Sequence, residues 1–144
     1  MPRILGLNII AVLVAAIGMF FVGFVFYGLL FTSQWVALWG FSEADLAAMA
    51  EAGNMPMIFG FLISLATAFF IGLALKALKA NDLMPAVINS VFLWAGFAVT
   101  TLAYDIVYAA QPFALLALDG AHLLVGFILA AVILTAMDGV LVKD

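Results

Sequence analysis

Charge is what this chain has least of. Only 8% of its 144 residues are Asp, Glu, Lys or Arg, 69% are hydrophobic, and the mean hydropathy is +1.37. Soluble domains are roughly half apolar and about a quarter charged, so a soluble fold could not hide this much apolar surface. Cysteine is absent. That excludes a disulfide framework and a thiolate metal site, and it removes any redox clue to compartment. A single histidine leaves no second axial ligand for a haem sandwich, and any metal would rest on Asp105, Asp119 and His122 alone. Lys and Arg total four, the net charge is −4, and there is no basic run, which argues against nucleic acid as a partner. Phosphate loops, G-x-S-x-G and H-E-x-x-H are all missing. No cofactor and no metal are expected.

What the chain does have is four long apolar runs, at about 4–31, 55–78, 84–110 and 113–137. Each reaches the roughly 20 residues that a helix needs to cross a bilayer core. They are too long and too continuously apolar for barrel strands, which alternate over about ten residues. The expected fold is a single all-α integral membrane domain over 1–144: an antiparallel bundle of four transmembrane helices. The first run is much longer than the roughly 7–15 residues of a signal-peptide core and is read as a retained helix.

The few basic residues orient the bundle. Arg3 precedes helix 1, Lys76 and Lys79 end helix 2, and Lys143 follows helix 4. With both termini cytoplasmic, all of them lie inside, as the positive-inside rule requires. For a bacterial protein this means the inner membrane. The loop between helices 1 and 2 then faces outward and carries Glu43, Asp45 and Glu51 with no Lys or Arg. Ser42 as N-cap, Asp45 at the third helical position and a Phe41–Leu46 staple predict a short surface helix over about 43–52, ended by Gly53. Trp35, Trp39, Tyr27 and Tyr108 read as an outer aromatic belt. The connections at 80–83 and Gln111-Pro112 are short, which predicts helix 2 packing on helix 3 and helix 3 on helix 4.

Ionisable residues inside a membrane are costly and require an explanation. Asp105 lies six residues before Gln111 and Asp119 seven after Pro112. By helical rise both sit about 9–11 Å below the outer helix ends. His122 follows Asp119 at i+3 and shares its face. Tyr104 and Tyr108 flank Asp105 at i−1 and i+3. These five residues form the candidate ligand-binding or proton-handling site. The plainer reading is that Asp105 and His122 pair to pin helix 3 to helix 4, with Asp119 bonded to a hydroxyl or water and the tyrosines as interfacial anchors. Asn8 and Asn89 lie at similar depths near the other ends of helices 1 and 3, where a cross-helix amide pair would contribute about 1 kcal/mol to fixing register. Ser64, Thr67, Thr100 and Thr101 can bond back to their own helices. The Trp94 indole N–H needs a carbonyl or hydroxyl partner. Small residues in helix 1, among them Ala11, Ala15 and Ala16, suit close helix approach within the bundle or between copies.

The stretch F-Y-G-L-L-F-T-S-Q-W (Phe26–Trp35) resembles a W-Y-x-P-L-F-G-x-x-W signature, and the acidic S-E-A-D-L turn follows it. L-W-A-G-F-A-V-T-T-L (Leu93–Leu102) and D-I-V-Y-A-A-Q-P-F-A-L-L-A-L-D-G-A-H-L (Asp105–Leu123) resemble a second signature. Both belong to small bacterial membrane proteins grouped as domain of unknown function 1761. The resemblance implies a four-helix integral membrane protein and supplies no activity. The chain departs from that pattern at Asp105 and Asp119, where Asn is expected in many members, which weighs against an obligatory proton relay.

The functional expectation is therefore a non-enzymatic binding or accessory component, oligomeric or part of a larger membrane complex, with an outward-facing polar cavity between helices 3 and 4. Its partners would be the bilayer and a lipid or small-molecule ligand. The alternatives are a dimeric proton-coupled transporter and a lipid- or quinone-modifying enzyme that uses His122 as acid or base.

Overall fold

A computed structural model describes residues 2–140, with side chains through Met137. Lys143 lies outside the described residues. The chain is an all-helical membrane bundle. Four helices are long and apolar enough to cross a bilayer: span 1 (Ile9–Leu30), span 2 (Met55–Ala77), span 3 (Leu83–Ala109) and span 4 (Phe113–Met137).

Span 1 begins at Ile9, five residues later than its apolar run suggests. Arg3–Ile4 (β1) pairs antiparallel with Leu7–Asn8 (β2) in a small hairpin. Its two turn residues, Leu5 and Gly6, both have positive φ (51° and 80°), the mirror-image turn that matches strand twist. Asn8 then starts the helix: its side-chain oxygen accepts from the Ile10 N–H at 3.0 Å, so its amide caps its own helix.

Span 1 comprises α1 (Ile9–Gly23) and a π-helical segment (Phe24–Leu30). Phe31 N–H donates to the Phe26 carbonyl at 2.8 Å, the i→i+5 bond of a widened turn. Two short helices follow, α2 (Thr32–Trp39) and α3 (Glu43–Glu51). In α3 the capping box is complete: Ser42 Oγ accepts from Asp45 N–H, and an Asp45 carboxylate oxygen accepts from Ser42 N–H. That carboxylate is held below the usual aspartate range, chiefly by the Ser42 hydroxyl and then by the Ser42 backbone N–H. Helix α2 was not foreseen, because its tryptophans read as belt residues rather than as part of a helix.

Span 2 is α4 (Met55–Ala77). Span 3 comprises α5 (Leu83–Leu93), a second π segment (Trp94–Val99) and α6 (Thr100–Ala109). Span 4 lies within α7 (Phe113–Val140). Threonine hydroxyls at the start of α6 donate to carbonyls of the second π segment. Thr100 Oγ1 donates to Gly96 at 2.8 Å, and Thr101 Oγ1 to Phe97 at 2.6 Å.

Span 1 packs on both span 2 and span 4, which also touch each other, while span 3 packs on span 4. Ala11, Ala15 and Ala16 are fully buried at its centre, against Ala68 and Ile71 of span 2 and Ala130 and Ala131 of span 4. These small side chains let backbones approach closely, which is how helices without a hydrophobic driving force gain van der Waals contact. The expected packing of helix 2 on helix 3 is therefore wrong. The two spans part beyond their short connection, because helix 1 has the small-residue faces and packs on both span 2 and span 4.

Candidate functional site

Asp119 lies two turns into α7, and its partner comes from span 1 rather than span 3. Tyr27 Oη donates to Asp119 Oδ1 at 2.6 Å. His122, on the same face one turn deeper, is framed by two span-1 rings, with centroids 4.9 Å away for Tyr27 and 5.7 Å for Phe26. Both rings belong to the first π segment. On the other side of span 4, the second π segment supplies Trp94, whose Nε1–H donates to the Gly120 carbonyl at 2.8 Å. The indole thus has its required partner. Two widened turns grip one stretch of span 4, Asp119 to His122.

Asp105 does meet Asp119. Both line a small cavity with Gln111, just inside the turn between spans 3 and 4. Its volume is only about 10 Å³, space for about one water. No ion pair joins Asp105 to His122 among the described residues. The cavity between helices 3 and 4 is therefore too small for an organic ligand, and Asp105 does not pin the helices through the imidazole.

Tyr104 and Tyr108 do not join the cluster. They stack on each other at 5.6 Å, and are 63% and 79% exposed. At i and i+4 they stack along one face, and neither lines the cavity that Asp105 shares with Asp119. Asn8 and Asn89 are not hydrogen-bonded to each other among the described residues. Asn8 is 2% exposed and caps α1, while Asn89 is half-buried.

The larger space opens on the opposite side of His122. A groove of about 480 Å³ runs between spans 1, 2 and 4, with Tyr27, His122, Ser64 and Thr67 along otherwise apolar walls. Ser64 and Thr67 spend their hydroxyls on their own helix, donating to Gly60 and Ile63 at 3.0 and 2.9 Å. Tyr27 is committed to Asp119. His122 has no hydrogen-bond partner among the described residues. A Cβ placed on Gly23 would come within 3.3 Å of His122 Nε2, so the missing side chain at position 23 leaves that nitrogen accessible from the groove. Tyr27 is the site residue the sequence reading assigned to the wrong role. Matching its depth near the outer end of span 1 to that of Asp119 was the available signal.

A family described as "Protein of unknown function (DUF1761)" matches residues 10–135. Neither a curated protein nor a solved structure matches the chain.

Proposed function

We propose, from the premise that this chain belongs to the DUF1761 family of proteins of unknown function, that it is a membrane-embedded binding component for a lipid-soluble amphiphile. The ligand lies in the groove between spans 1, 2 and 4, with its polar group on His122. The observation that carries this reading is the imidazole itself. A neutral imidazole offers one donor and one acceptor, and leaving such a group unpaired away from water costs about 1–3 kcal/mol. Here it faces a groove of about 480 Å³ whose other polar groups are already bonded. Ligand sites of about 300–1,000 Å³, mostly apolar with a few placed polar groups, are the common pattern. The fitting ligand is an apolar molecule bearing a carbonyl or hydroxyl, one that partitions into a single leaflet. The bacterial inner membrane, cytoplasmic termini and antiparallel spans belong to the same proposal, resting on the basic residues at the Arg3 end.

The test is native mass spectrometry of the protein extracted with its own lipids. Wild type is run beside His122→Ala, which removes the polar partner, and Gly23→Leu, which fills the groove next to the imidazole. A bound amphiphile carried by wild type and lost from both variants supports the reading. Identical adducts in all three samples would refute it.

A second reading, a proton-coupled transporter, is favoured by one observation. From the turn at Gln111, the one-water cavity, Asp105, Asp119 and Tyr27 form a polar line that ends beside His122.

A further inference from the structure

Resting on the reading of the groove beside His122 as a ligand site, we infer that its occupant is an uncharged cyclic ketone of the quinone type with a hydrocarbon tail, and not a phospholipid. The first observation is the depth of the imidazole. Span 4 runs Phe113–Met137, so its middle is Val125, and His122 stands about 4–5 Å from it by helical rise. The other walls reach the same level. Met19 and Phe20 lie at the middle of span 1 (Ile9–Leu30), and Thr67 is next to the middle residue of span 2 (Met55–Ala77). The hydrogen-bonding end of the ligand is therefore near the bilayer midplane. A glycerophospholipid holds its phosphate and ester carbonyls at the interface, and drawing them to this depth would put an ionic group where charge is most costly. Among the described residues the groove lining holds neither Lys nor Arg to receive it. An ionised fatty acid fails for the same reason. The polar group that meets His122 is a neutral one.

Shape then separates a ring from a chain. Each of the three spans contributes a glycine to the lining, Gly23 of span 1, Gly60 of span 2 and Gly126 of span 4, and each presents bare backbone where a side chain would project. A Cβ on Gly60 would come within 3.5 Å of the Phe20 ring, so a side chain there would close the groove between spans 1 and 2. Phe20, Phe24 and Tyr27 supply aromatic walls. Walls of backbone and rings suit a flat ligand, which gains from ring–ring contact beyond the area it buries. A saturated chain gains only the area. A ring carbonyl accepts from an imidazole N–H, and the hydroxyls of Tyr27, Ser64 and Thr67 are already spent. Phe24, Met57 and Ile63, which line the groove, are exposed on the apolar outside of spans 1 and 2. The ring therefore enters sideways from the bilayer and the tail stays in it.

The test is a titration of the detergent-solubilised full chain, read by native mass spectrometry, with a decyl-substituted benzoquinone, dodecanol and phosphatidylglycerol as separate probes. Wild type should bind the quinone about tenfold more tightly than either other probe. His122→Ala should weaken quinone binding about fivefold, as the loss of one hydrogen bond does. His122→Gln keeps a donor and should retain most of the affinity, which separates loss of the bond from loss of fold. Phe24→Leu keeps apolar bulk and removes a ring, so it should weaken the quinone about threefold and leave dodecanol unchanged. Dodecanol or phosphatidylglycerol binding as tightly as the quinone, and weakened by His122→Ala, would overturn the quinone assignment while the groove remained a ligand site. Quinone binding unchanged in His122→Ala would overturn the assignment and the groove reading together.

Discussion

Tyr27→Phe tests the central contact of the outer cluster while keeping its ring. The lost bond is short, 2.6 Å, and ends on a carboxyl oxygen. Side-chain hydrogen bonds between membrane helices average about 0.6 kcal/mol and reach about 1.7, whereas bonds to charged groups in proteins run about 1.5–3. The short distance favours the upper part of the membrane range. The neighbouring cavity, about 10 Å³, can admit about one water, which would partly replace the hydroxyl and holds the cost below the charged-group range. The expected destabilisation is about 1.5 kcal/mol. Tyr27→Ala should cost about 1–3 kcal/mol more, because it also forfeits ring contacts worth about 0.5–1.5 kcal/mol each. The rings concerned are His122 at 4.9 Å and Trp35 at 5.3 Å. The assay is reversible unfolding in mixed micelles, run as a double-mutant cycle of Tyr27→Phe with Asp119→Ala. Coupling of about 1 kcal/mol is expected. Coupling below about 0.3 kcal/mol, inside the usual scatter of independent sites, would refute the argument that this bond ties span 1 to span 4.

Acidification should loosen α3. The Asp45 pKa is depressed in the folded state by its bonds to Ser42, so its contribution is present above the ordinary aspartate value of about 3.9 and fades as pH falls through the lower folded value. Backbone carbon shifts of Ala47–Ala50 should move toward coil over that range; a Ser42→Ala protein should show the loosening at neutral pH, and a pH-independent α3 in wild type would contradict it. For the transporter reading, Asp105→Asn and Asp119→Asn should each abolish proton uptake by proteoliposomes measured with an entrapped pH dye. Unchanged uptake in both removes that reading.

The four spans were legible because run length alone decides whether a helix can cross a bilayer, and composition leaves no soluble alternative. Neighbour relations were not legible from connection length. A short turn fixes where two helices begin, but packing fixes where they go, and the buried alanines Ala11, Ala15 and Ala16 draw span 1 onto both span 2 and span 4. The site was half legible. Asp119 and His122 stood out because ionisable groups in apolar runs are rare. Tyr27 did not, because a tyrosine near a helix end usually serves as an interfacial anchor. Helical geometry turns Tyr104 about 100° from Asp105, which it precedes by one residue, but the i+3 spacing of Tyr108 left its exposure open in the sequence. The π segments left no mark, since an inserted residue does not disturb a run that is apolar on every side.

Those π segments bear on whether the Asp119–His122 stretch only pins helices. A regular α-helix can deliver one tyrosine or one tryptophan to a neighbour, so pinning alone needs no widened turn. Widened turns have poorer hydrogen-bond geometry, and such turns are found mostly as single bulges, often at functional sites. In this chain they span seven and six residues, on two separate spans. Side-chain bonds help to hold them, from Thr32 Oγ1 to the Tyr27 carbonyl at 2.6 Å in one and from Thr100 and Thr101 in the other. Their effect is to bring Phe26 and Tyr27 together onto span 4 from one side and Trp94 from the other. The Asp119 carboxyl and the His122 ring are thereby fixed in orientation while the imidazole keeps its hydrogen-bonding capacity. An arrangement that spends backbone regularity to hold an imidazole still, and leaves it unbonded beside an open groove, is the feature on which the proposed ligand site rests, because helix packing alone does not require it.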